Sequence, residues 1–146
     1  MSRGGLLVAA QLSLLVVLAT QALLSWRLQP WTPQAWLLLA AGTALGAWAL
    51  SANRPGNFNV HPAPRAGGRL VSDGPYRWIR HPMYSALLLA GLGVVLGAGG
   101  WSALALATLA AVLWLKARLE EQGMRAAHPD YADYERRTWR FVPFLF

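Results

Sequence analysis

Four residues could be brought together to do chemistry: His81, Tyr84, Glu120 and Glu121. His81 and Pro82 stand directly before an apolar run, Met83 to Ala98. Proline suits the first turn of a helix, where its missing N–H costs nothing. His81 then falls near the N-cap, with free backbone N–H groups just beyond it, and such a helix start attracts anions. The plain alternative is a helix start carrying an interfacial Arg80-His81 pair. Glu120-Glu121 closes a second apolar stretch. On a helix Lys116 and Glu120 are four apart, as are Glu121 and Arg125, and each could be an ordinary exposed pair worth a few tenths of a kcal/mol.

The richest segment is Gly74-Pro75-Tyr76-Arg77-Trp78-Ile79-Arg80-His81-Pro82-Met83-Tyr84, which packs prolines, arginines, a histidine and aromatics between long apolar regions. Further along, Tyr131 and Tyr134 share a helix face by their spacing, a pattern that more often serves packing than catalysis. Arg136, Arg137 and Arg140 suit lipid headgroups. His61, His81 and His128 show no metal-ligand spacing with each other, so no metal is expected. The chain has no cysteine, which excludes disulfides, thiolate metal sites and a cysteine nucleophile. It contains no Gly-rich phosphate loop, Walker-type lysine or nucleophile elbow.

The elements that must position these residues follow from composition. The 146 residues suffice for a single domain; 55% are hydrophobic and only 13% charged. Soluble domains carry about 25% charged residues, so an all-α integral membrane bundle is expected. The net charge of +7 is read as membrane topology rather than nucleic-acid binding.

An apolar run from about Gly5 to Trp26 is long enough to span a bilayer and longer than a signal-peptide core. Pro30 and Pro33 mark a short connection, and Trp26, Trp31 and Trp36 suit an interfacial aromatic belt. Ala35 to Ala52 forms a second span. The polar connection 53–82 holds five of the nine prolines and five arginines; within it, Asn57 to His61 could be extended, and Gly67-Gly68 and Asp73-Gly74-Pro75 read as turns.

Met83–Ala98 and Trp101–Leu115 form a hairpin of short arms around Gly97-Ala98-Gly99-Gly100, which either crosses fully with local thinning of the bilayer or dips in without fully crossing. Its second arm runs on toward Gln122, with no breaker before Gly123. The glycines at 91, 93, 97, 99 and 100 suit close helix packing. Asp130 could cap a short helix through Arg137, and the aromatic tail, Phe141 to Phe146, reads as an interfacial anchor. The units are two N-terminal spans (1–52), a loop (53–82), and a hairpin with a C-terminal segment (83–146). About four crossings put Arg3, the central loop and residues 116–140 on one side. The positive-inside rule makes that side, with both termini, cytoplasmic. Antiparallel arms then make His81, Tyr84, Glu120 and Glu121 neighbours at that boundary.

The motif Gly-Pro-Tyr-x-x-x-Arg-His-Pro-x-Tyr (74–84), followed by Glu-Glu (120–121), Tyr-x-x-Tyr (131, 134) and Arg-x-x-Pro (140–143), resembles the isoprenylcysteine carboxyl methyltransferase family. That group includes phospholipid N-methyltransferases and small bacterial membrane proteins. The resemblance covers Leu70 to Pro143. It implies S-adenosylmethionine as methyl donor, bound at the cytoplasmic face, and a bacterial inner-membrane location.

Carried over, Pro75, Tyr76, Arg80, His81, Pro82 and Tyr84 would line the cofactor site, and Glu120 and Glu121 would hold its polar groups. Tyr134, Arg137 and Arg140 would close the site and face the acceptor. A carboxylate acceptor needs no base and could be oriented by an arginine; a thiol or amine needs a proton sink, for which His81 or a glutamate could serve. Four spans leave less wall for a long prenyl chain than the best-known eukaryotic members have. A small lipophilic acceptor entering sideways from the bilayer is therefore expected. The alternatives from other classes are a non-catalytic membrane protein that keeps the fold and a sterol-reductase-like NADPH reductase.

Overall fold

The computed structural model describes residues 2–53 and 70–145. The expected extended piece at Asn57–His61 and the turn at Gly67-Gly68 lie outside the described residues. The elements are helices α1 (Arg3–Leu28), α2 (Pro33–Ala52), α3 (Pro82–Ala98), α4 (Trp101–Ala127) and α5 (Tyr131–Arg136), with a 3-10 turn at Gly74–Arg77. The described residues form no strand; their one extended pairing is an isolated bridge between Ile79 and Trp139. Helices α1, α2 and α4 are each long and apolar enough to cross a membrane, whereas α3 has 17 residues and spans about 25 Å.

The helix starts follow local capping rules. Ser2 Oγ accepts from Gly5 N–H at 3.2 Å, and Thr32 Oγ1 accepts from Ala35 N–H at 3.3 Å. Pro33, assigned from the sequence to the short connection, occupies the first turn of α2, where its missing N–H has no partner to lose. Asp130 precedes α5 but makes no side-chain cap bond. Gly123 does not end α4, which continues to Ala127 because flanking helix formers and the surrounding packing outweigh the cost of one glycine.

Helices α2 and α3 form the tightest pair. A Cβ on Gly42 would lie 2.5 Å from Ala90 N, and one on Gly93 would lie 2.7 Å from Ala35 O. Ala35, Gly42 and Ala49 recur every seven residues on α2 and are all buried, so one small-residue stripe lets the two backbones touch. Gly97 has a different neighbour: a Cβ there would sit 2.2 Å from the Trp31 ring. Trp31 is therefore buried in the core, donating Nε1–H to Ser25 Oγ, and only Trp26 and Trp36 keep the exposure expected of a belt. Gly99 and Gly100 do not pack at all. Both have positive φ and open space around them, and they serve as the hairpin turn.

Helix α1 lies on α4 and α3, with Leu18 buried against the core residues of the hairpin. Gln29 Nε2 donates to Gly97 O at 2.8 Å, which ties the end of α1 to the hairpin turn. The starts of α1 and α3 and the ends of α2 and α4 therefore gather at the opposite end of the bundle.

Candidate functional site

Chain connectivity builds that end of the bundle from three segments. The first is the 3-10 turn. Gly74 has φ +57°, and a Cβ there would meet Ala52 Cβ at 2.8 Å, so both backbone and space require glycine. Pro75 is fully buried, and Trp48 and Trp78 rings lie 6.0 Å apart, seating the turn on the end of α2. The second segment, Trp78–His81, runs parallel to the third, Trp139–Phe141. Trp139 N–H donates to Trp78 O at 2.9 Å, Arg80 N–H to Trp139 O at 2.7 Å, and His81 N–H to Arg140 O at 3.1 Å. Ser85 Oγ then donates to Phe141 O at 2.6 Å. The tail expected to anchor in the interface is thus divided. Phe141 is buried against His81, Tyr84 and Trp114, while Val142, Phe144 and Leu145 are exposed.

Glu121 is the centre of the charged cluster. Its side chain is 1% exposed, and Arg140 grips it with Nε on Oε1 at 2.9 Å and Nη2 on Oε2 at 2.5 Å. Arg80 Nε donates to the same Oε1 at 3.0 Å, and His81 Nε2 lies 3.3 Å from it. A buried carboxylate is tolerable only when its lone pairs are met by cations in good geometry, and here three groups from two other segments supply them. Arg80 does a second job. Its Nη1 donates to Glu135 O at 3.0 Å and to Thr138 O, so one guanidinium holds α4, the end of α5 and the C-terminal segment together.

Glu120, on the next position of α4, has a different environment. Its side chain is 22% exposed. Oε1 accepts from the Tyr84 hydroxyl at 2.6 Å, and Oε2 lies 3.4 Å from His81 Nδ1. Both ring nitrogens of His81 therefore face carboxylate oxygens, and only the imidazolium donates from both. Burial disfavours that charge, but the hydrogen bonds to Glu120 and Glu121 outweigh it, and His81 is held above its ordinary value. The His81 and Tyr84 rings stack, with centroids 5.3 Å apart and planes within 3°.

Other expected site residues surround this core. Tyr76 is half-buried and hydrogen-bonds the Asn53 side chain; burial, with the nearby Glu120 charge, pushes its hydroxyl up to about 12. Pro82 is buried in the first turn of α3, and His81 is its N-cap without a side-chain cap bond, since its ring is turned to the glutamates. Tyr134 is buried and donates its hydroxyl to Tyr76 O at 2.7 Å, so it braces the turn. Arg137 is exposed at the end of α5 and takes no part in the hydrogen bonds of the cluster. The structure brings together Arg80, His81, Tyr84, Glu120, Glu121 and Arg140, and leaves Arg137 outside.

The two pairs read as ordinary surface contacts are not so. Lys116 is buried, 3% exposed, and donates to Gln11 Oε1 of α1 at 2.8 Å. Arg125 pairs bidentately with Glu135, at 2.9 and 2.5 Å, and reaches Glu121 only at 3.8 Å. Arg136 pairs with Asp133 at the surface. Sequence reasoning missed Gln11, Asn53, Glu135 and Thr138. Gln11 had a readable signal, an amide inside an apolar span, where polar side chains seek partners across helices. Thr138 had none.

Comparison with known proteins gives two findings. The family profile described as phospholipid methyltransferase matches residues 31–130. The cobalt-zinc-cadmium resistance protein CzcN of Cupriavidus metallidurans is 37% identical over 83 residues, covering 56% of this chain and 38% of that protein. The chain thus matches well under half of that relative's length.

Proposed function

Because this chain belongs to the phospholipid methyltransferase family, which is grouped with the isoprenylcysteine carboxyl methyltransferases, we propose that it transfers a methyl group from S-adenosylmethionine to a small lipophilic acceptor at the cytoplasmic membrane face. The observation that carries this reading is the unequal pair of glutamates. Glu121 is consumed by Arg80, Arg140 and His81, whereas Glu120 keeps a partly exposed carboxylate beside aromatic rings and a tyrosine hydroxyl.

The residues present fit the donor by the chemistry of the set. Glu120 and the Tyr76 hydroxyl suit its cationic and hydroxyl groups. Arg140, which is 17% exposed, suits its carboxylate, and the rings around Tyr84 suit its base. When bound, the donor supplies a methyl group on a positively charged sulfur, open to in-line attack. The protein's contribution is then positional: rings and ion pairs hold the site in one geometry, and burial keeps water out. Arg140 stacks on Trp114, 4.6 Å from the ring centroid, and Trp114 is 36% exposed on the outer side of α4. An acceptor arriving sideways from the lipid would meet that pair first. His81 as imidazolium orients both carboxylates; for an amine or thiol acceptor, Glu120 is the group able to take the proton.

The cytoplasmic placement rests on the arginines. The start of α1, with Arg3, and the segment 116–140 lie at the same end of the bundle, and positive charge collects on the cytoplasmic side. Four crossings fit that arrangement, with the short α3 spanning by local thinning.

Two measurements test the reading. Purified protein in detergent should give a calorimetric signal with S-adenosylhomocysteine and none with NADPH. Membranes containing the protein should transfer labelled methyl from S-adenosylmethionine into a lipid-extractable product. No binding of S-adenosylhomocysteine would remove the basis for the proposal, and binding of NADPH instead would favour a reductase.

A further inference from the structure

Lys116 is a lysine buried at the level where α1 meets the hairpin, and the methyl-transfer reading does not use it. A charged side chain in a membrane bundle is costly and marks function more often than packing. Its Nζ donates to Gln11 Oε1 at 2.8 Å and lies 5.3 Å from the centroid of the Tyr84 ring. The hydroxyl of that same ring donates to Glu120 at 2.6 Å, and Glu120 stands four residues beyond Lys116 on α4. An ammonium over a phenol ring draws electron density from it and makes its hydroxyl a stronger donor. Gln11 lies on α1, outside the residues 31–130 that match the family profile.

We propose that Gln11 and Lys116 form a positioning pair: α1 holds the lysine against the Tyr84 ring, and the lysine acts through Tyr84 to fix Glu120 against His81. The first helix is then a working part of the site, reaching it by one amide, one ammonium and one phenol in series. The inference goes beyond the methyl-transfer reading, because it concerns how Glu120 is held whatever Glu120 binds.

The test reads the His81 imidazole directly, by NMR titration of labelled histidine in detergent-solubilised full-length chain, with the signal assigned by its loss in His81→Asn. The groups that face His81 are Glu120 and Glu121 on α4, Tyr84 on α3, and the flanking Arg80 and Arg140 through Glu121. Lys116→Met should move the His81 titration by about half a pH unit or more in the otherwise unchanged chain. The same substitution in a Tyr84→Phe background should move it by much less, because the relay is already cut. Gln11→Met, which suits a lipid-facing helix, should give a shift in the same direction as Lys116→Met but smaller.

Equal shifts with and without the Tyr84 hydroxyl would mean that Lys116 acts on His81 through space, and the proposal would fail. No shift from Lys116→Met, or none from Gln11→Met when Lys116→Met gives one, would also overturn it. Should Lys116→Met not fold, the comparison of Gln11→Met in the two backgrounds decides the matter by the same criterion. S-adenosylhomocysteine is absent from these titrations, so a failure of the cofactor reading and a failure of this one are separate results.

Discussion

Glu120 and Glu121 are neighbours on one helix, yet they stand in two different regions of the molecule. The Glu121 side is closed: three cationic groups from the pre-α3 segment and the C-terminal segment meet one carboxylate, and nothing of it reaches solvent. The Glu120 side is open, held by one phenol and one imidazole and still partly exposed. Successive helix positions point about 100° apart, so one residue of difference moves a side chain from the centre of a buried cluster to its rim. The lesson is that an adjacent pair of like residues need not share a role. One carboxylate ties together the end of the bundle, and the other stays partly open at its rim.

Three substitutions or conditions would break or sharpen this contrast. The largest effect is expected from Glu121→Ala, which takes the shared carboxylate from two largely buried guanidiniums and an imidazole; the expected loss of stability is about 3–5 kcal/mol, read as a lower unfolding midpoint in detergent. A chain that tolerates this change with no loss would show the closed side to be dispensable. Glu120→Gln comes next and should separate the two roles. It should cost about 1–2 kcal/mol in stability, less than Glu121→Ala, because the amide oxygen still accepts from Tyr84 and only the partly exposed contact with His81 is lost, while S-adenosylhomocysteine affinity falls about tenfold or more. Equal loss of stability in both variants would erase the distinction.

The smallest effect is a pH dependence. His81 is held above its ordinary value of about 6.5, so its ion pairs contribute fully below that pH, and the contribution fades as pH rises through the raised folded-state value. Thermal midpoints should therefore fall from mildly acidic to mildly basic pH in the parent chain, and His81→Asn should flatten that slope.

Much of this arrangement is legible in residue order. The hairpin could be read from two apolar arms around Gly97–Gly100, and its closure predicted that His81 and Tyr84 would meet Glu120 and Glu121. Counting the 17 positions of α3 along α4 from Trp101 reaches Ala117, so equal arms alone bring the glutamates to within about one turn of the start of α3. Arg140 was legible through its motif. The partners of Arg80 were not: Thr138 and the Glu135 carbonyl lie more than fifty residues away, and a backbone carbonyl carries no residue identity to read. Lys116 was misread because a lysine four residues before a glutamate has the same pattern on an exposed face and on a buried one.

The sequence by itself determined the helices and their hairpin, because apolar runs of membrane length must satisfy their backbone groups internally, and helices do so with local bonds alone. It also determined where polar chemistry could sit, at the one end where charged residues follow the apolar arms. Only the tertiary structure decided which glutamate is enclosed, that the C-terminal segment pairs with Trp78–His81, and that Gln11 of α1 meets the buried Lys116 of α4. Those outcomes depend on the rotation of each helix about its axis and on contacts between distant segments, and no local period in the chain encodes either.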